Sequence, residues 1–137
     1  MSKSIEFRSG RHCVFILKAH LVFVTKYRRH VFKKQHLERM KEILGKVCDD
    51  FGCKLQEFNG EDDHVHLLIE YKPQVELSKL INSLKGVSSR LLRNEYPDIA
   101  ARYYKGVLWS PSYFVCSVGG ESIEALKQYI EQQRAPA

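Results

Sequence analysis

Two kinds of apolar periodicity alternate along this chain, and their order constrains the fold more than any other feature. Helical stripes, in which apolar residues recur every three or four positions, occupy residues 35–51 and 75–96. Segments rich in β-branched and aromatic residues, which are typical of strands, precede, separate and follow these helices. The strand-like segments lie at 12–27 (centred on 20–26), 53–58, 64–71 and 107–118. The sequence therefore predicts the order β-α-β-β-α-β.

A chain with this order is expected to adopt the split β-α-β architecture. We predict an α+β fold of the ferredoxin-like kind, with a four-stranded antiparallel sheet and two helices packed on one face. A third apolar stripe at 121–134 predicts an additional C-terminal helix, which follows the helix-breaking pair Gly119-Gly120. The length of 137 residues predicts a single domain over 1–137, and the polar residues 1–10 are expected to form a mobile arm.

Local signals sharpen these boundaries. Gly52 is expected to end the first helix and Pro97 the second. Asn59-Gly60 is typical of a tight turn, so it predicts a hairpin between the second and third strands. Residues 98–106 are predicted to be a polar connection. Pro111 within the last strand-like segment predicts an edge strand or a bulge.

The composition narrows the possible partners and compartment. A net charge of +6 and an isoelectric point near 9.2 favour an anionic partner, nucleic acid first. Since no apolar run reaches the length of a membrane span and the first residues lack a signal-peptide core, we expect a cytoplasmic protein. The cysteines are expected to be reduced thiols, and the spacing of Cys48 and Cys53 fits zinc motifs poorly.

The segment D-D-H-V-H-L-L-I-E-Y, residues 62–71, carries the clearest chemical signal. Side chains two apart on a strand share a face, so His64 and His66 project together while Val65 packs on the opposite side. Two imidazoles on a rigid strand can bind a divalent metal. An isolated His-x-His pair is also common without a metal, so the interpretation needs a third ligand and a reacting group.

The C-terminal helical stripe offers both of these groups. Tyr129 and Gln133 are four residues apart, so they lie one above the other on the predicted helix. A tyrosine hydroxyl can attack a phosphodiester when a metal polarises the phosphate. The Gln133 amide oxygen could complete an open site that suits Mg²⁺ or Mn²⁺ better than zinc. Taken singly, however, Tyr129 is also typical of a packing residue and Gln133 of a solvated helix end.

At five segments the chain resembles one known family. These segments are V-T-K-Y-R (24–28), D-H-V-H-L-L (63–68), L-K-G-V-S-S-R (84–90), L-W-S-P-S-Y (108–113) and Q-Y-I-E-Q-Q (128–133). In this order and at about this spacing, they resemble the small single-tyrosine transposases of bacterial insertion sequences. That family acts on single-stranded DNA and carries a His-hydrophobic-His (HUH) signature.

The resemblance implies a role for each candidate residue. His64, His66 and Gln133 would bind Mg²⁺ or Mn²⁺, and Tyr129 would form a 5′-phosphotyrosine link to DNA and free a 3′-hydroxyl. The partners would be single-stranded DNA, the hairpins at the element's ends and a second copy of the chain. In such a homodimer the sheets would join edge to edge, and Gly119-Gly120 would be a hinge that lets the tyrosine helix act in trans.

Other interpretations remain open at this point. From charge alone, the candidate DNA contacts are Lys26, Arg28, Arg29 and Arg90. The chain could instead be a domesticated relative that nicks host repeats, or a metal phosphodiesterase that hydrolyses DNA without a protein adduct. A nonenzymatic domain of the RNA-recognition type is a further alternative, although R-Y-Y-K-G-V-L-W lacks the glycine-aromatic signature of that family.

Overall fold

The computed structural model describes residues 17–117 and 128–132 together with the backbone of 8–9 and 14–15. Most of the predicted arm, the Gly119-Gly120 hinge and Gln133 lie outside these described residues. No helix within the described ranges is long and apolar enough to cross a bilayer.

The elements follow the predicted order. The strands are β1 (Arg8–Ser9), β2 (Val14–Phe15), β3 (Lys18–Val24), β4 (Lys54–Gly60), β5 (His64–Glu70) and β6 (Phe114–Ser117). The helices are α1 (Lys34–Asp50), α2 (Leu77–Glu95) and α3 (Pro97–Arg102), with a 3-10 turn at Lys26–Arg28. Residues 128–132 are also helical. β1 and β2 form a separate small antiparallel pair.

The main sheet has the strand order β4-β5-β3-β6, and all of its pairs are antiparallel. Its two central strands, β3 and β5, are the first and third of the four strands in the predicted pattern. This is the strand order of a split β-α-β fold, so the predicted fold class is confirmed.

The core lies between the sheet and α1 and α2. Alternate residues of the central strands, such as Phe23, Leu67 and Ile69, are fully buried and join one cluster with helical residues such as Met40 and Leu84. Because successive strand residues point to opposite faces, the intervening residues of β3 and β5 lie on the face away from the helices. This second face, which we call the open face, includes His20, His64 and His66.

Two turns differ from the prediction. The first strand of the sheet ends at Val24 and not beyond Lys26, because Tyr27 and Arg28 adopt left-handed φ angles of 61° and 51°. The β4–β5 hairpin is confirmed, but pairing continues through Gly60. The turn therefore occupies residues 61–63 and not Asn59-Gly60, and it closes where the Glu61 amide donates to the His64 carbonyl at 2.9 Å.

Two further differences affect the chain after α2. The predicted polar connection begins with the helix α3, because Pro97 occupies its first turn, where a missing N–H costs nothing. The described part of the last strand spans only Phe114–Ser117. Residues 107–113 instead form a loop that enters the sheet through a single bridge from Trp109 to Thr25.

Ser88 fixes this loop to α2. The Trp109 indole Nε1 donates to the Ser88 Oγ at 2.9 Å, and the Ser88 hydroxyl donates to the Leu84 carbonyl at 2.6 Å. Both side chains are buried, so neither group could turn to water instead. The segments around Ser88 and Trp109 therefore have a structural role, since they hold the polypeptide that leads into β6.

We expect Ser88→Ala to lower the free energy of unfolding by about 1–3 kcal/mol, because the buried indole N–H loses its acceptor. Ser78→Ala, on the exposed side of the same helix, should change it by less than about 0.5 kcal/mol. Urea denaturation of both variants measures the difference. Equal stabilities for the two variants would contradict the assigned role of Ser88.

Candidate functional site

The pairing register of β3 brings candidate residues into rows on the open face. Val22 pairs with His66 on one side and with Phe114 on the other, and Val24 pairs with His64. His66 and Phe114 therefore lie in one row, separated by two strand spacings or about 10 Å. As predicted, His64 and His66 share a face of β5.

His64 is held by a carboxylate next to it in the chain. Its Nδ1 lies 2.9 Å from the Asp63 Oδ1, and the other carboxylate oxygen accepts a hydrogen bond from the Arg28 Nε at 2.7 Å. A carboxylate that binds one ring nitrogen fixes the imidazole's orientation and leaves Nε2 for a ligand. Asp63 therefore fixes the orientation of the His64 ring, which is what a metal-binding role would require.

Asp63 is buried and remains ionised because of its two partners. Burial alone would raise the pKa of its carboxyl, but hydrogen bonds from His64 and Arg28 and the Arg28 charge outweigh burial and lower it. The Asp63 backbone carbonyl also accepts the Thr25 amide at 3.0 Å. Asp63 thus joins the turn before β5 to the end of β3.

His66 has a partner that the sequence did not reveal. Its Nε2 lies 2.8 Å from the His20 Nδ1, and the two rings are stacked with centroids 5.0 Å apart. Burial lowers the pKa of His66, and the neighbouring His20 lowers it further. A neutral imidazole is the form that binds metals. Strand alternation places His20 on the open face, but only the pairing register identifies its neighbour.

Tyr129 also lies by the open face, next to β6. Its ring centroid is 5.3 Å from that of Phe114, and its hydroxyl oxygen is 3.4 Å from the Ser112 Oγ. The carbonyl of Ile130 accepts a hydrogen bond from the Arg28 guanidinium. Arg28 therefore links the tyrosine helix to Asp63 and, through it, to His64. Among the described residues, no contact joins Tyr129 directly to either histidine.

The four basic residues predicted from charge separate onto different surfaces. Lys26 and Arg29 line a cavity beside Tyr27, whereas Arg28 turns away to Asp63. Arg90 is exposed on α2, in the helical layer on the other face of the sheet. A role in DNA binding stays a prediction for each of them.

Two other groups of residues carry atoms that could bind a metal. Donor atoms of His30, Asp62 and Asp63 lie within 4.8 Å of one another, so they compete with the His64–His66 pair as a cation site. The Cys48 thiol is a poor zinc ligand, because burial raises its pKa to about 12 and keeps it protonated.

The family model and the similar proteins with known names are all transposases. Residues 13–133 match the model of the family described as "Transposase IS200 like". The chain is 32% identical over 129 residues to the ISDra2 transposase TnpA of Deinococcus radiodurans, covering 94% of this chain and 92% of that one. It is 31% identical to the transposase for insertion sequence element IS200 of Salmonella typhimurium, covering 92% and 82%.

Solved structures agree with the sequence comparisons. A crystal structure of a Deinococcus radiodurans R1 protein, provisionally named a transposase, superposes with a TM-score of 0.86 at 33% identity. That match covers 94% of this chain and 99% of that one. A REP-associated tyrosine transposase bound to a REP hairpin shares the fold, with a TM-score of 0.57 at 11% identity over 97% and 75% of the chains.

We expect the Asp63 carboxylate to make the free energy of unfolding depend on pH in the acidic range. Its folded-state pKa lies below the ordinary value of 3.8, so its contribution is present above that value and is lost as the pH falls through the folded pKa. From pH 6 to pH 3, Asp63→Asn should therefore lose less stability than the wild type. Chemical denaturation at both pH values tests this, with Glu61→Gln, an exposed acid two residues away, as the control that should follow the wild type.

Proposed function

This chain belongs to the IS200-like transposase family, and on that premise we propose that it is a metal-dependent single-stranded DNA transposase. Tyr129 would cut and rejoin DNA through a 5′-phosphotyrosine intermediate, and the substrate would be the hairpins at the ends of an insertion sequence. Residues 1–137 would act as one HUH domain.

The observation that carries this proposal is the connection through Arg28. One guanidinium binds the carboxylate that orients His64 and also the carbonyl of Ile130, next to Tyr129. The proposed metal ligand His64 and the helix that carries Tyr129 thus contact the same largely buried ion pair. Structural packing alone would not need a charged group between a histidine strand and the helix that carries a half-buried tyrosine.

The histidine pair offers two nitrogen ligands to a divalent cation. His64 would ligate through Nε2 because its Nδ1 is held by Asp63. His66 would ligate in its neutral form, and binding through Nε2 would replace its contact with His20. Gln133 would supply an amide oxygen, as the family resemblance implies. A bound Mg²⁺ or Mn²⁺ would draw charge from the scissile phosphate and so make it more electrophilic.

The Tyr129 hydroxyl oxygen would attack the phosphorus and form a new P–O bond. The bond from phosphorus to the 3′-oxygen breaks, the tyrosine proton is lost to solvent or a nearby base, and the 3′-oxygen gains a proton. One phosphodiester replaces another, so the step needs no nucleotide hydrolysis. A 3′-hydroxyl that later attacks the phosphotyrosine reverses the exchange and joins DNA ends.

Two further features support the proposed partners. A relative with the same fold was solved bound to a REP hairpin, and hairpin ends are the proposed substrate here. Among the described strands β6 lies at one edge of the sheet, and in the proposed dimer its outer side would pair with a second copy. In that homodimer Tyr129 could serve the histidines of either copy.

We expect Tyr129→Phe to abolish the covalent protein–DNA adduct, because the variant lacks the attacking oxygen, while hairpin binding persists. Denaturing gels of single-stranded hairpin DNA with Mg²⁺ detect the adduct. Tyr113→Phe should form it normally, since that ring lies by Lys85 and not by the proposed site. Cleavage without an adduct in both wild type and Tyr129→Phe would favour the metal phosphodiesterase.

We expect His64→Ala to raise the Mn²⁺ concentration for half-maximal binding at least tenfold, because the variant lacks one of the proposed metal ligands. His30→Ala should leave Mn²⁺ binding unchanged. Electron paramagnetic resonance of free Mn²⁺ measures binding without relying on activity. The opposite result, with His30→Ala impaired and His64→Ala normal, would move the metal site to His30, Asp62 and Asp63.

A further inference from the structure

A basic cavity of about 330 Å³ opens on the surface beside the Lys26–Arg28 turn. Its lining includes four cationic side chains, Lys26, Arg29, Arg102 and Lys105, and no carboxylate. This volume is at the lower end of the ~300–1,000 Å³ range of small-ligand sites. Four positive charges without an acidic neighbour favour an anionic ligand.

Two exposed tyrosines form the aromatic part of this cavity. Tyr27 is 55% exposed and Tyr104 is 76% exposed, so neither ring is needed to fill the core. The Arg29 guanidinium carbon lies 5.2 Å from the Tyr27 ring centroid, and the Lys105 Nζ lies 5.8 Å from that of Tyr104. Exposed rings next to cations can stack a nucleobase and pair with its phosphate.

The cavity is built on a strained but firmly held turn. Left-handed φ angles at two consecutive residues other than glycine, Tyr27 and Arg28, are costly and persist only where surrounding contacts enforce them. The Lys26 amide donates to the Leu108 carbonyl at 2.9 Å, and the buried Tyr103 hydroxyl donates to the Lys26 carbonyl at 2.6 Å. These contacts therefore hold the backbone that carries the exposed Tyr27 ring.

The same turn separates its side chains between two sites. Arg28 points to Asp63 and the Ile130 carbonyl, whereas Tyr27 and Arg29 line the cavity. A ligand in the cavity would contact residues on both sides of Arg28. The cavity is thus distinct from the histidine face but adjoins it through one short segment of backbone.

We infer that this cavity binds one unpaired nucleotide of single-stranded DNA. The base stacks on Tyr104 and Tyr27, and the flanking phosphates pair with the surrounding lysine and arginine side chains. The choice of DNA rests on the proposed function. Because the cavity adjoins Arg28, a nucleotide bound there would lie next to the segment that contacts the tyrosine helix.

Photo-crosslinking of a single-stranded oligonucleotide tests this inference. One thymine at a time is replaced by 5-iodouracil, and mass spectrometry identifies the protein residue that is attached after irradiation. We expect crosslinks to Tyr104 or Tyr27 from one position in the oligonucleotide. Crosslinks confined to residues outside the cavity would overturn the inference.

Matched variants distinguish the contribution of base stacking to oligonucleotide binding from that of charge. Tyr104→Leu should weaken oligonucleotide binding about tenfold, whereas Tyr104→Phe should bind like the wild type because it keeps the ring. Lys105→Ala should lower the salt dependence of binding by about one counterion, and Lys41→Ala, a lysine on α1, should not. Unchanged binding by both Tyr104→Leu and Lys105→Ala would overturn the inference.

The Tyr129 adduct, measured on the same samples, distinguishes the two proposals. A wild-type protein that forms the adduct but shows no crosslink in the cavity would overturn this inference alone. A wild-type protein that crosslinks in the cavity but forms no adduct would support it and contradict the proposed transposase chemistry.

Discussion

The pairing register of β3 against β5 is the constraint on which the rest of the structure depends. Because side chains alternate across a strand, this register places Phe23, Leu67 and their neighbours against the helices and the imidazoles on the other face. A slip of one residue would bury the histidines and expose the core residues. The hydrophobic core therefore specifies the position of the candidate metal ligands, and the same packing that stabilises the fold orients its chemistry.

A second constraint, the strained turn at Tyr27 and Arg28, connects the parts of the surface that carry function. Arg28 binds Asp63, which orients His64, and it also binds the backbone of the tyrosine helix. Its neighbours Tyr27 and Arg29 face the basic cavity. Left-handed backbone at these two residues is what sends adjacent side chains in different directions. This arrangement explains why the adjacent residues Arg28 and Arg29 have separate surroundings.

Much of the fold could be predicted from local sequence, and the parts that could not depend on distant contacts. The element order and the shared face of His64 and His66 follow from periodicity, because periods of 3.6 and 2 are local properties. The loop at 107–113 has strand-like composition, but its residues are held by Ser88 and Lys85 on α2. Likewise, the contact of His20 with His66 depends on strand pairing, and no spacing in the sequence encodes it. The sequence predicts a nucleophilic role for Tyr129 from its helical spacing to Gln133 and a family resemblance, whereas its contacts with Phe114 and Ser112 depend on the fold.

The central claim is that Tyr129 becomes covalently attached to the 5′-phosphate of the cut DNA. The most direct measurement is tandem mass spectrometry of the protease-digested, nuclease-trimmed adduct, which identifies the modified residue among the seven tyrosines of the chain. The account predicts that a nucleotide phosphate is attached to the peptide containing Tyr129 and to no other. Attachment to a different tyrosine, or cleaved DNA without any modified peptide, would contradict it.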